Sequence, residues 1–161
     1  MNYYDSIASG YDELHFEEQK RKAELILREL KLKKTDKLLD VGCGTGKITE
    51  LFPCKVTGID PSAELIKQAK IPVVLGSAEK LPFPDKSFDV VVSLTAVQNF
   101  EDVEKGISEI ARVAKRDAVI TCLKKSKKLA QVERAVEKYL DVRKRSEEQH
   151  DMIWFCLPRK V

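Results

Sequence analysis

The sequence predicts an α/β protein of three layers, with a mostly parallel sheet between helices on both faces. Short β-rich runs alternate with helix-like segments along most of the chain, the pattern of βα units. The runs "FDVVVSL" and "DAVITCL" are apolar without alternation, as expected of central strands covered on both sides. A glycine-rich turn, "DVGCGTGK", follows the first run directly, where such sheets take their ligands. At 161 residues the chain has the size of one domain, and residues 1–161 are expected to share one core.

The first element expected is an amphipathic helix from Phe16 to Leu32, with Ala23, Ile26, Leu27 and Leu30 on one face and charges on the other. Ahead of it, Ser9 and Gly10 weaken any continuous helix. Strands follow at Lys37 to Val41, Lys55 to Ile59, Pro72 to Leu75, Phe88 to Leu94 and Ala118 to Leu123. Between them "GKITELF", "SAELIKQAK" and "EDVEKGISEIARVAK" carry apolar residues three and four apart and read as helices, the second capped by Ser62. Ser126 to Leu140 makes a further helix. The tail "DMIWFCLPRK" is a strand apolar on both faces, and the poorly apolar "DVRKRSEEQ" before it pairs with it as an edge strand.

Composition narrows the functional classes. Cys43, Cys54, Cys122 and Cys156 form no C-x-x-C pair and His15 and His150 lie far apart, so no metal site is expected. Both histidines are assigned to surface positions. No apolar run is long enough to span a bilayer, and the first residues lack a basic and an apolar region, which together suggest a soluble cytoplasmic protein. Net charge is only +3, but charged residues make up 34% of the chain while Asn occurs only at Asn2 and Asn99, a bias that suggests a heat-adapted source.

The glycine turn carries the most specific signal. A phosphate-binding Walker A loop fails at Val41, which stands at the first glycine position, and at Ile48, which stands at the hydroxyl position. A dinucleotide fingerprint starting at Gly42 and Gly44 fails where Lys47 replaces its last glycine. What remains is D-x-G-x-G-x-G, and here the chain resembles the class I S-adenosylmethionine (SAM) dependent methyltransferases, most of all the small type that includes the ubiquinone and menaquinone methyltransferases. The likeness covers nearly the whole chain and implies the strand order 3-2-1-4-5-7-6, with the last pair adding one antiparallel strand. It divides the chain into an N-terminal helical segment, residues 1–32, and a Rossmann-like core, residues 33–161.

The resemblance also implies a site. Asp40 corresponds to the carboxylate that meets the ammonium group of SAM, while Gly42, Cys43, Gly44 and Gly46 let the backbone pass close to its amino acid part. Asp60, eighteen residues after Gly42, corresponds to the acid that binds both ribose hydroxyls, with Ile59 and Pro61 beside the adenine; capping the following helix is its plainer role. In "GSAEKLPFP" Ser77 replaces the usual aspartate opposite the adenine amino group, Ala78 offers its backbone N–H, and Glu79 belongs to the same stretch. After the fourth strand, Leu94, Thr95 and Gln98 are expected to face the sulfonium or the acceptor, whereas Val97 and Phe100 are expected to pack. Ser93 to Ala96 do not match the Asn-Pro-Pro-Tyr motif of enzymes that methylate exocyclic amines. No catalytic base is evident, and in-line methyl transfer does not demand one.

Tyr4 and Tyr11 stand where related enzymes fold an aromatic segment over the cofactor; docking of the terminus on the sheet is the alternative. The connections that carry substrate caps in many relatives are short here, which implies an open acceptor site suited to RNA or protein. Quinone-type small molecules and a non-catalytic SAM-binding role remain as alternatives. Lys124, Lys125, Lys127, Lys128, Arg143, Lys144 and Arg145 are candidate phosphate contacts, or else solvated faces. The apolar edge expected at Ile71 to Gly76 invites strand pairing with a small activator subunit, such as some relatives use, unless a helix or a second copy covers it.

Overall fold

The computed structural model describes residues 3 to 159, with side chains from residue 13 onward. Seven strands form one sheet: β1 Lys37–Val41, β2 Lys55–Asp60, β3 Val73–Leu75, β4 Phe88–Ser93, β5 Ala114–Leu123, β6 Leu140–Glu148 and β7 Asp151–Pro158. Their order is 3-2-1-4-5-7-6, and β7 runs antiparallel to both of its neighbours. Helices are α1 Tyr3–Glu29, α2 Ala63–Ile66, α3 Val103–Val113 and α4 Leu129–Tyr139.

Alternation along the central strands sorts the core into two layers. Leu39, Val41, Val91, Ala118, Ile120, Met152, Trp154 and Cys156 face α3 and α4, meeting Ile107, Ile110, Val132 and Val136. The neighbouring positions Leu38, Val90, Val92, Val119, Ile153 and Phe155 face the other way, against Ala23, Ile26 and Leu30. Because each central strand is buried on both faces, its sequence shows no polar alternation. Asp102 starts α3 by accepting the N–H of Lys105, and Ser62 starts α2 by accepting that of Leu65.

β5 starts at Ala114 and not at Ala118, taking the last two residues expected of the helix before it, and three further elements differ from expectation. The first helix runs unbroken through Ser9 and Gly10, since the cost of one glycine is about 1 kcal/mol and is outweighed by the packing of its other end. "GKITELF" gives only a single 3₁₀ turn, Thr49–Leu51: Gly46 is left-handed at φ 76° and Pro53 forces Phe52 into an extended conformation. α2 stops after one turn because none of its residues is buried, so no packing rewards its extension.

Candidate functional site

A cavity of about 660 Å³ opens where the carboxyl ends of β1, β2 and β4 meet. It sits at the switch point of the sheet, where the connections from β1 and β4 leave in opposite directions. Of the residues expected at the site, Asp40, Gly42, Cys43, Gly44, Asp60, Pro61, Leu94 and Thr95 line it. Gly42, Gly44 and Gly46 all have positive φ, at 83°, 56° and 76°. At Gly42 the lost side chain is a packing requirement, since a β-carbon there would stand 2.5 Å from that of Ala96. At Gly44 it would make only an ordinary contact, with Leu65 Cδ1 at 3.9 Å. That bare backbone faces the cavity.

Two carboxylates frame the turn. Asp40 is 3% exposed; its Oδ2 accepts from Thr49 Oγ1 at 2.8 Å, while its Oδ1 has no partner among the described residues. Burial pushes its carboxyl up to about 7, against the Thr49 hydrogen bond, and the nearby charge of Asp60 adds to the rise. Asp60 ties β2 to the turn: its Oδ2 accepts from the Gly44 N–H and its Oδ1 from the Ser62 N–H, both at 2.9 Å. The cap of α2 is therefore Ser62, and Asp60 keeps unused lone pairs on both oxygens beside the cavity. The Cys43 thiol is pushed up to about 12, first by burial and then by Asp40 and Asp60, so it stays protonated and unreactive.

Among the described residues, the remaining expected ones lie outside the cavity lining. Ile59 is buried in the core at 1% exposure. Gly46 packs its backbone against Ile71, which a β-carbon would meet at 3.0 Å. Ala78 is buried, and Glu79 accepts the Asp102 N–H ahead of α3. Ser77 opens the 3₁₀ turn Ala78–Lys80, one residue after Gly76, whose N–H donates to the Asp60 carbonyl. Gln98 donates its side-chain amide to the Thr95 carbonyl at 3.0 Å; its neighbour Asn99 lines the cavity instead. The side chains of Tyr4 and Tyr11 lie outside the described residues. Phe100 both packs in the core and reaches the cavity.

Several lining residues were not legible from motifs. His15, Phe16 and Gln19 extend from α1 over the cavity, so His15, although exposed, stands at the site and not on a remote surface; His150 is exposed as expected. Lys22, one turn beyond Gln19, is buried with Asp151 at 2.8 Å. The signal was present: Gln19 and Lys22 share the helical stripe of Ala23, Ile26 and Leu30, where apolar residues belong.

Residues 39–122 match the methyltransferase domain family, slightly more than half of the chain. An uncharacterized protein of Methanocaldococcus jannaschii is 37% identical over 121 residues, covering 73% of this chain and 48% of that protein. A demethylmenaquinone methyltransferase of Staphylococcus aureus is 32% identical over 141 residues, covering 76% and 58% respectively. Among solved structures, a Haloferax volcanii methyltransferase in complex with the Trm112 methyltransferase activator superposes with TM-score 0.79 at 16% identity, over 99% of both chains. A SAM-dependent methyltransferase of Aquifex aeolicus gives TM-score 0.73 at 21% identity, over 85% of this chain and 89% of that one. The chain thus belongs to the methyltransferase domain family and has the fold of a methyltransferase that depends on SAM as its cofactor. It spans about half the length of the curated relatives that it matches.

The residues at the cavity fit that cofactor. An unpartnered carboxylate oxygen on Asp40 suits an ammonium group, the open side of Gly44 suits a close ligand backbone, and the spare acceptors of Asp60 suit a vicinal diol. Among the described residues no helix is long and apolar enough to cross a membrane.

Proposed function

We propose that this chain binds SAM in the cavity and catalyses methyl transfer to an acceptor entering from its open side. The observation that carries the reading is the orphaned Oδ1 of Asp40, a buried acceptor beside a side-chain-free turn. Asp40 would hold the ammonium group, Gly42 to Gly46 the amino acid backbone, and Asp60 the ribose. Pro61 would flank the adenine, while Ile59, buried in the core, would support β2 beneath it; Ser77 and Ala78 would meet its edge just past Asp60, with Glu79 supporting that stretch through Asp102. The cofactor supplies an electrophilic methyl carbon on a sulfonium. The protein's share is alignment and exclusion of water, to which Leu94 and Thr95 contribute one wall and α1 another; Gln98 supports Thr95, and Tyr4 and Tyr11 would extend the cover.

An RNA or protein acceptor, completed by an activator subunit, is the favoured substrate class. Support comes from β3, whose Leu75 is 57% exposed at an unguarded edge, and from the likeness to the Haloferax methyltransferase that is held in such a complex. The basic residues add little, because Lys124, Arg143, Lys144 and Arg145 already face acidic partners. A quinone-type acceptor is the second reading, supported by the identity to demethylmenaquinone methyltransferases.

Calorimetric titration with SAM, S-adenosylhomocysteine (SAH) and NAD tests the site. Binding of the first two and not the third is expected, with loss of both in Gly44→Val, whose branched side chain would enter the ligand's space at a left-handed position. A folded Gly44→Val or Asp60→Ala protein with undiminished SAM affinity would overturn the assignment. Radiolabelled methyl transfer to quinone precursors, bulk RNA and extract proteins then separates the acceptor classes.

A further inference from the structure

Thr95 holds a backbone conformation that its side chain disfavours. Its φ is 54°, and a β-branched residue in the left-handed region persists only where its surroundings over-determine it. Three contacts do so. Thr95 N–H donates to Thr121 Oγ1 at 2.7 Å, its hydroxyl donates to Asp151 Oδ2 at 2.6 Å, and the same hydroxyl accepts from Lys22 Nζ. Lys22 comes from α1 and Asp151 heads β7, with side chains 3% and 1% exposed.

This cluster joins two walls of the cavity. Leu94, Thr95 and Ala96 form one, and Ala96 fills the space over Gly42, so the loop also bears on the glycine turn. Gln19 and Phe16, one turn and nearly two turns before Lys22, form the other. Folding alone gives little reason for charges here, since apolar replacement of a buried ion pair is often neutral or stabilising. Among the described residues Asp151 also keeps its Oδ1 without a partner, an arrangement costly in a purely structural contact.

We propose that Lys22 and Asp151 are positioning residues for methyl transfer: by gripping Thr95 between them, they hold the loop after β4 and helix α1 at a fixed separation across the cofactor cavity. Neither residue lines the cavity itself, so both act through Thr95. The inference rests on the SAM reading of the site.

The test uses the full chain with Lys22→Met/Asp151→Leu, which removes both charges together, and Lys22→Met/Asp151→Asn, in which the amide oxygen still accepts from Thr95. The first should melt at or above the wild-type temperature, yet release SAH about tenfold faster, the scale expected of a small misplacement. The second should show a smaller acceleration. Amide exchange should quicken over Leu94 to Gln98 and leave Val90 to Val92 protected. Wild-type release and exchange in either folded variant would overturn the proposal, as would unfolding of both, which would make the pair a requirement of folding. Should the wild type itself fail to bind SAH, the site reading falls and this inference with it; normal binding in wild type and variants alike rejects the grip and leaves the site.

Discussion

Asp40 sets two demands against each other at the scale of one residue. A carboxyl pushed up to about 7 by burial holds a proton in the folded chain that the unfolded chain has released above its ordinary value near 3.8. Between those values the folded state binds more protons, so the Asp40 contribution to stability falls as pH rises from about 4 to 7 and is level above. An ammonium ligand favours the charged carboxylate and reverses the preference, so SAM binding near pH 6 should release a proton. Asp40→Asn keeps an acceptor for Thr49 without the charge: it should be more stable than wild type at pH 8, with the difference shrinking toward pH 5, and bind SAM about tenfold more weakly. Denaturation at both pH values and calorimetry in buffers of different ionisation heat measure these effects. Parallel stability curves for the two proteins would rule out the burial argument.

The elements divide between those that hold the sheet and those that shape the cavity. α3 belongs to the first group: Ile107 and Ile110 are fully buried against the sheet, four and seven positions on from Val103, on one helical face. Ile110→Ala should cost about 3 kcal/mol in denaturant unfolding with SAM affinity unchanged, because no residue of α3 lines the cavity; a comparable loss of affinity would tie the two groups together. α1 belongs to both groups. Its Ala23 and Ile26 pack on the sheet while Phe16 and Gln19 reach the cavity, and at about 1.5 Å per residue it is long enough to do both.

For the whole molecule, the two sheet edges are unlike. β6 carries Arg143, Lys144 and Arg145 and is exposed along most of its length, a charged edge that resists pairing. β3 offers Val73, Val74 and Leu75 with no charge among them, and covering this edge is the role proposed for an activator subunit. Amides of Val73 to Leu75 should exchange quickly in the isolated chain and slow when a small co-purifying subunit is present; strong protection in an isolated monomer would reject the partner.

Much of this architecture was legible in the sequence. Strand positions followed from apolar runs because burial on both faces leaves no polar alternation, and β1 was placed to the residue because a carboxylate and three glycines mark its end. The glycine turn at the cavity, with Asp40 and Asp60 beside it, was legible for the same local reason: a turn at positive φ needs glycine, and glycine is visible in one dimension. Helix lengths were not, since propensity is worth less than packing, which stops α2 after four residues and carries α1 through Gly10. Nor was the Lys22, Thr95 and Asp151 cluster, whose members are 73 and 56 positions apart. Local chemistry is written along the chain, but which buried charge meets which is decided only when strand order and helix docking bring distant residues within hydrogen-bonding reach.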